Sequence, residues 1–275
     1  MDVCFGKNFI LNGTLQPSDV FDNSMIYEGD SVYEVIRMVK GSPVFFQDHL
    51  VRLEKSVKIQ GREMLAGFED LRRDIIRLSV QESLGEVNLK IVFNYNNGSF
   101  NYLLYFIEPI YPTQDQYNNG VKGILFKAER SDPASKVINP GLRSDIFHKL
   151  ILEGAYEALL VDNKNYITEG SRSNIFFLRE GSLYTAPEDL ILSGITRKYI
   201  IEICRENNIE VVFKCVRADE IGEFESVFMS GTSPVVLPFS QINDVNFNVR
   251  LPVMGKLRQL YIDKAENSIM RFLSG

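Results

Sequence analysis

The sequence has one segment that no helix or strand can run through. Pro109, Pro112, Asn118, Asn119 and Gly120 fall within twelve positions, and each works against regular structure. Proline fixes φ and lacks a backbone N–H, while asparagine and glycine favour turns. Elsewhere the chain reads as ordered elements, with no repeat and no low-complexity tract. The 275 residues are therefore expected to form two domains, each long enough to bury a core of its own. A small N-terminal α/β domain is expected over 1–112, a linker over 113–121 and a larger C-terminal domain over 122–275.

Patterning within each half supports this division. Val32, Tyr33, Val35, Ile36 and Val39 mark 31–39 as a strand, which Lys40-Gly41 turns into the apolar run 43–46. Asp48 is expected to cap a helix in which His49, Leu50, Leu53 and Val57 recur at helical spacing. A second helix is expected from about 69 to 84. Two strands follow over 88–95 and 101–107, joined across Asn97-Gly98, a strong hairpin signal. The second half alternates strands (123–129, 175–178, 210–213, 226–229) with helices near 142–158, 194–207 and 252–272. A mixed α/β or α+β fold class follows.

Composition narrows the chemistry. Thirty Lys and Arg against 36 Asp and Glu give a net charge of −6, so no nucleic-acid partner is expected through bulk charge. No run of about 18 apolar residues suggests a membrane span, and Met1-Asp2-Val3-Cys4 has no basic-then-apolar signal pattern. The expected location is cytoplasmic. Cys4, Cys204 and Cys215 show no paired spacing, and His49 and His148 form no HExxH motif, so no metal site is expected. No GxSxG accompanies the histidines either. Proton transfer in such a chain falls to Lys, Glu, Tyr or a cofactor.

Four segments could carry that chemistry. Gly194-Ile195-Thr196-Arg197 opens a helix with small donors, an arrangement suited to a phosphate. Ser230-Gly231-Thr232-Ser233-Pro234 is a second donor-rich turn. Glu169 stands between an extended segment and a Gly/Ser loop, where a partly buried carboxylate needs a positive or proton-donating partner. Lys136 lies in Ser135-Lys136-Val137-Ile138-Asn139-Pro140. Taken singly, each reads first as an ordinary cap, turn, surface acid or solvated lysine.

Taken together, they resemble the class IV (fold-type IV) pyridoxal-phosphate enzymes: branched-chain aminotransferases, D-amino-acid aminotransferases and aminodeoxychorismate lyases. Gly29-Asp30-Ser31-Val32-Tyr33-Glu34 is similar to the family's GDGVYE-type strand, and His49-Leu50-Val51-Arg52-Leu53 to its HxxRL helix. Lys136 stands in a KxxN segment, and Glu169 follows 33 positions later in an EGxxSNxF motif. Leu192–Arg197 resembles LxGITR, and Met229–Thr232 the second phosphate turn. The resemblance implies a small N-terminal domain, a larger C-terminal pseudobarrel and a homodimer with active sites between the domains.

The same resemblance assigns roles. Lys136 is implied as the catalytic lysine, bound to pyridoxal 5′-phosphate as a Schiff base and shuttling protons. Glu169 is implied to face the pyridine nitrogen. Arg52, the Ile195 backbone, Thr196 and Thr232 are implied to hold the phosphate. Lys149 breaks the interval to Glu169, and both histidines read as structural. On the substrate side Tyr33 and Arg37 are the candidates, because the 93–98 stretch lacks the arginine and histidine with which D-amino-acid enzymes hold a carboxylate. Pro140 replaces a tyrosine of the branched-chain enzymes. The expected reaction is amino transfer between an amino acid, of branched-chain or D type, and a 2-oxo acid. A pyruvate-releasing lyase and a non-catalytic descendant are the alternatives, the latter opposed by the retained Lys136, Glu169 and Arg52.

Overall fold

The computed structural model describes residues 3–130 and 132–274. Two compact units emerge. One comprises the chain through Ile110 together with Ser135–Ile138 and the residues from Ala265 onward; the other comprises Tyr111–Ala134 and Asn139–Lys264.

The first unit is built on a six-stranded antiparallel sheet, ordered β2-β1-β6-β5-β3-β4. Its strands are β1 (Asn8–Leu11), β2 (Thr14–Pro17), β3 (Asp30–Val39), β4 (Ser42–Pro43), β5 (Glu86–Asn96) and β6 (Ser99–Ile107). The hairpin between β5 and β6 turns at Asn97 and Gly98, with φ of 41° and 89°. Positive φ at both positions matches the right-handed twist of the flanking strands. A short helix α1 (Ser24–Tyr27) precedes β3, and α2 (Phe46–Ile59) and α3 (Phe68–Glu82) follow β4.

Residues two apart on a strand share a face, so β3 sends Val32, Glu34, Ile36 and Met38 one way and Tyr33, Val35 and Arg37 the other. The first face packs with Leu89, Ile91 and Phe93 against Leu50, Leu53 and Val57 of α2 and Leu71, Ile75 and Leu78 of α3. The second face gathers Phe9, Val92, Leu103 and Tyr105 around Ile26, Tyr33 and Ile138. Phe45 occupies the position before α2 in the left-handed conformation, φ 50°, without a side-chain cap. Asp48 therefore lies within the first turn and not at the cap position, correcting the sequence expectation, and its charge suits a helix N-terminus.

The second unit carries a ten-stranded sheet, ordered β12-β11-β10-β14-β15-β7-β8-β9-β13, with β16 on β15. Its strands are β7 (Val121–Lys127), β8 (Glu157–Val161), β9 (Tyr166–Gly170), β10 (Asn174–Arg179), β11 (Ser182–Thr185), β12 (Val211–Phe213), β13 (Val216–Arg217), β14 (Ser226–Ser230), β15 (Leu237–Ile242) and β16 (Val245–Asn246). Strand β7 lies parallel to both β15 and β8. The helices are α4 (Gln114–Asn119), α5 (Pro140–Glu153), α6 (Ile195–Glu206) and α7 (Pro252–Leu273), whose last residues belong to the first unit.

Two expectations change here. The 113–121 stretch contains α4, started by a capping box in which Thr113 and Gln116 satisfy each other's backbone N–H groups. The helix expected over 142–158 ends earlier, at Gly154, whose φ of 59° completes its C-terminus. Glu157–Val161 is instead a fully buried strand.

Candidate active site

In the first unit, Lys136 is placed by main-chain pairing. The N–H of Tyr33 donates to the Lys136 carbonyl at 3.0 Å, and the N–H of Ile138 donates to the Ser31 carbonyl at 3.1 Å. Val32 and Val137 thus form an isolated antiparallel bridge that ties 136–138 to β3. The Lys136 N–H also donates to Ser56 Oγ on α2, at 3.2 Å. The side chain then lies over Tyr33, with Nζ 4.9 Å from the ring centroid. Lys90, a buried lysine outside the sequence-based expectations, approaches the same ring at 5.1 Å and Tyr105 at 5.9 Å. Register explains this, because Lys90 faces Tyr105 directly across β5–β6 and lies diagonal to Tyr33 across β5–β3. Two amines therefore share one tyrosine.

On the opposite face of β3, Glu34 is fully buried. Arg52 grips it with a fork, Nε to Oε1 and Nη2 to Oε2, each at 2.8 Å. His49 Nδ1 lies 2.8 Å from Oε2; since a carboxylate only accepts, this nitrogen carries the proton. Burial pushes the Glu34 carboxyl up, but the Arg52 charge and the hydrogen bonds from His49 and Arg52 outweigh it and hold the carboxyl well below its usual range. Burial pushes His49 down, against the raising effect of Glu34, and the charges of Arg52 and Lys136 act in the same direction as burial. Both shifts favour a charged carboxylate beside an uncharged imidazole, and the guanidinium is held by one edge with its other edge turned away from Glu34. Glu34 carries no role in the motif reading, yet its signal is in the sequence: a charge at an inward-facing position of an apolar strand.

In the second unit, Glu169 lies on β9 and is 4% exposed. Oε1 takes Arg130 Nη1 at 3.1 Å, and Oε2 accepts the Leu192 N–H at 3.1 Å. The Leu192 carbonyl in turn accepts Asn174 Nδ2 at 2.9 Å. Asn174 opens β10 and pairs with Ser230, so it stands beside both donor-rich turns. At Gly194 an added Cβ would collide with Asn174 Oδ1, so any larger residue would force the side chain or the loop to shift. Helix α6 begins there with no side-chain cap and no acid in its first turn, leaving its N-terminal field to an anion. Gly194→Ala should cost about 1–3 kcal/mol by overpacking, measured by urea unfolding. Asn174→Ala in the same chain should recover part of that loss, whereas an unchanged midpoint for Gly194→Ala would dismiss the steric account.

The other expected residues sort by unit. Ile195 and Thr196 occupy the first turn of α6, with Thr196 Oγ1 3.3 Å from the Tyr261 hydroxyl. Thr232 follows β14 in the second turn. Arg197 turns inward, donating to the Ala186 carbonyl at 2.7 Å, and burial holds its guanidinium below the usual range. Arg37 shares the Tyr33 face of β3 but is paired with Glu86 at 2.6 Å. Lys149 pairs with Glu153 on the surface of α5, and His148 is exposed there too. Thus Lys136, Tyr33, Glu34, His49 and Arg52 gather in one unit, and Glu169, Arg130 and the two donor turns in the other. Among the described residues, no group of three or more His, Cys, Asp or Glu could hold a metal. No helix among them is long and apolar enough to cross a membrane.

The family profile described as amino-transferase class IV matches residues 31–242, most of the chain. This chain belongs to the class IV aminotransferases. A D-alanine aminotransferase of Bacillus licheniformis is 28% identical over 254 residues, covering 88% of each chain. Among solved structures, a branched-chain aminotransferase of Thermoproteus uzoniensis, crystallised with norvaline, superposes with a TM-score of 0.84 at 21% identity over 98% of each chain. The T.th. branched-chain amino acid aminotransferase with pyridoxamine 5′-phosphate gives 0.83 at 23% identity, covering 96% of this chain and 95% of that one. These likenesses establish the fold-type IV architecture, with the ten-stranded sheet as the pseudobarrel. The donor chemistry fits the class IV cofactor, pyridoxal 5′-phosphate. An amine lies on an aromatic ring, a carboxylate is already ionically paired, and a helix N-terminus has no side-chain cap.

Proposed function

We propose that this enzyme transfers an amino group from a branched-chain or D-type amino acid to a 2-oxo acid, with Lys136 as the residue that moves the proton. The observation that carries this reading is the placement of Lys136. Its backbone is tied to β3 and α2, and its amine is held against Tyr33 with Lys90 on the same ring. When bound, pyridoxal 5′-phosphate supplies the electron sink that makes the substrate Cα–H acidic. Lys90 places a second amine on the face of Tyr33, 5.1 Å from the ring centroid. Lys136 would carry the acidic proton between the substrate Cα and the C4′ carbon of the cofactor, which lie on either side of the transferred nitrogen.

Glu169 would face the pyridine nitrogen and stabilise its protonated form. Arg52, the Ile195 N–H, Thr196 and Thr232 would hold the phosphate, Arg52 by the edge not used by Glu34. Tyr33 and Arg37, on one face of β3, would contact substrate, and the Lys90 charge beside Tyr33 favours an anionic group there. By family resemblance the enzyme is a cytoplasmic homodimer. Helix α5 supports self-association, because it turns Phe147, Ile151 and Leu152 outward, the last 81% exposed.

A half-reaction screen tests the proposal. Holoenzyme mixed with single L- and D-amino acids should convert its cofactor to the amino form with branched-chain or D-alanine-type donors, read from the absorption spectrum. Pyruvate release from aminodeoxychorismate without that conversion would replace the transferase reading with the lyase.

A further inference from the structure

We propose that Arg130 is a positioning residue for Glu169, and that through Glu169 it couples the pyridine-facing carboxylate to the loop leading into α6. Both oxygens of Glu169 are fixed from different directions. The Arg130 guanidinium takes Oε1 and the Leu192 main chain takes Oε2, each at 3.1 Å. Arg130 lies three residues beyond the end of β7, whereas Leu192 lies two residues before Gly194. The Leu192 carbonyl is held by Asn174, which also packs against Gly194. A displacement of the carboxylate is therefore passed towards the start of α6 through one residue, Leu192, whose N–H and carbonyl belong to successive peptide units. A cation on one oxygen and a backbone donor on the other hold this carboxylate in one orientation, which a group that stabilises a protonated ring nitrogen requires. The geometry stands by itself; its catalytic meaning rests on the reading that Glu169 faces that nitrogen.

The test is titration of apoenzyme with pyridoxal 5′-phosphate, followed by cofactor absorption across pH, for Arg130→Gln, Arg130→Lys, Glu169→Gln and the double variant. Arg130→Gln should weaken cofactor binding by on the order of 10- to 100-fold, the usual weight of a hydrogen bond to a charged group, and should shift the pH dependence of the spectrum. Arg130→Lys should stay within about threefold of wild type, because the charge persists. The double variant should bind no more weakly than Glu169→Gln alone, since groups acting through one another are not additive.

Additive losses, or an Arg130→Gln affinity within about twofold of wild type, would overturn the inference while leaving the role of Glu169 intact. If Glu169→Gln changes neither affinity nor spectrum, the underlying reading of Glu169 fails, and the inference with it. Should Arg130→Gln not fold, Arg130→Met is titrated in its place against the same criteria.

Discussion

Lys136→Met is expected to lower kcat for amino transfer by about a thousandfold or more while leaving the fold intact. Methionine keeps an unbranched stem of similar length over Tyr33 but has no basic nitrogen. The lost step is proton transfer by a positioned base, which contributes some 10²- to 10⁴-fold. The segment itself is held by main-chain bonds, Tyr33 N–H to the Lys136 carbonyl and Lys136 N–H to Ser56 Oγ, which no side-chain change removes. Thermal unfolding should accordingly shift by no more than a few degrees. Borohydride reduction of wild-type holoenzyme should leave the cofactor covalently on the peptide that contains Lys136. Lys149→Met serves as the control: Lys149 is surface-exposed and paired only within its own helix to Glu153, so kcat should not change. Label on Lys149, or full activity in Lys136→Met, would end the assignment.

How much of this is legible in the sequence depends on which physical signals are local. The Asn97-Gly98 turn, the alternation of β3 and the glycine before α6 are written in adjacent residues, and the structure places each as expected. Element ends are less legible. The expected α5 runs on to 158 because 155–161, interrupted only by Glu157, is apolar without alternation, a pattern that periodicity cannot separate from a helix; Gly154 is the stop signal that decides it. The 113–121 stretch has a turn-forming composition, and the Thr113–Gln116 capping box inside it carries the opposite message.

Site partners are least legible, because pairing joins distant positions. Arg130 to Glu169 spans 39 residues, and Lys90 meets Tyr33 only through strand register. Motif spacing, read through the family resemblance, sets up the expectation that Lys136 and Glu169 act as a pair. No local pattern can show that Glu169 is gripped by Arg130, or that Arg37 is drawn to Glu86.

Glu34→Gln should destabilise the protein by about 3–5 kcal/mol, the usual cost of removing one partner from a buried charged cluster, and lower its melting temperature by on the order of 10 °C. Glutamine is close to isosteric with glutamate, so no cavity contributes. It replaces an acceptor with an NH₂ group that faces the Arg52 and His49 donors, and it leaves the guanidinium buried without its counter-charge. Cofactor affinity should fall as well, because nothing then fixes the fork of Arg52. Stability and function separate in a triple variant, Glu34→Leu, His49→Leu, Arg52→Met. Replacing a whole buried cluster by apolar residues is often neutral or stabilising, so this protein should regain most of the lost stability and none of the lost phosphate affinity. If the triple variant binds cofactor like wild type, Arg52 is not a phosphate ligand.

The same cluster sets a pH dependence with a defined sign. The Glu34 carboxyl titrates lower in the folded protein than in the unfolded chain, where its value is about 4.3. Its contribution to stability is therefore fully present above that value and is lost as pH falls towards the folded one. His49 is also depressed from its ordinary value of about 6.5; the unfolded chain binds its proton first, so this contribution too is complete above that pH and declines below it. Both act in one direction, and wild-type stability measured by urea unfolding should rise from strongly acidic pH and level off near neutrality. Glu34→Gln removes the carboxylate part, so its curve should lie lower near neutrality and be flatter below pH about 4. A parallel displacement of the two curves across the acid range would show that Glu34 is not ionised in the folded protein.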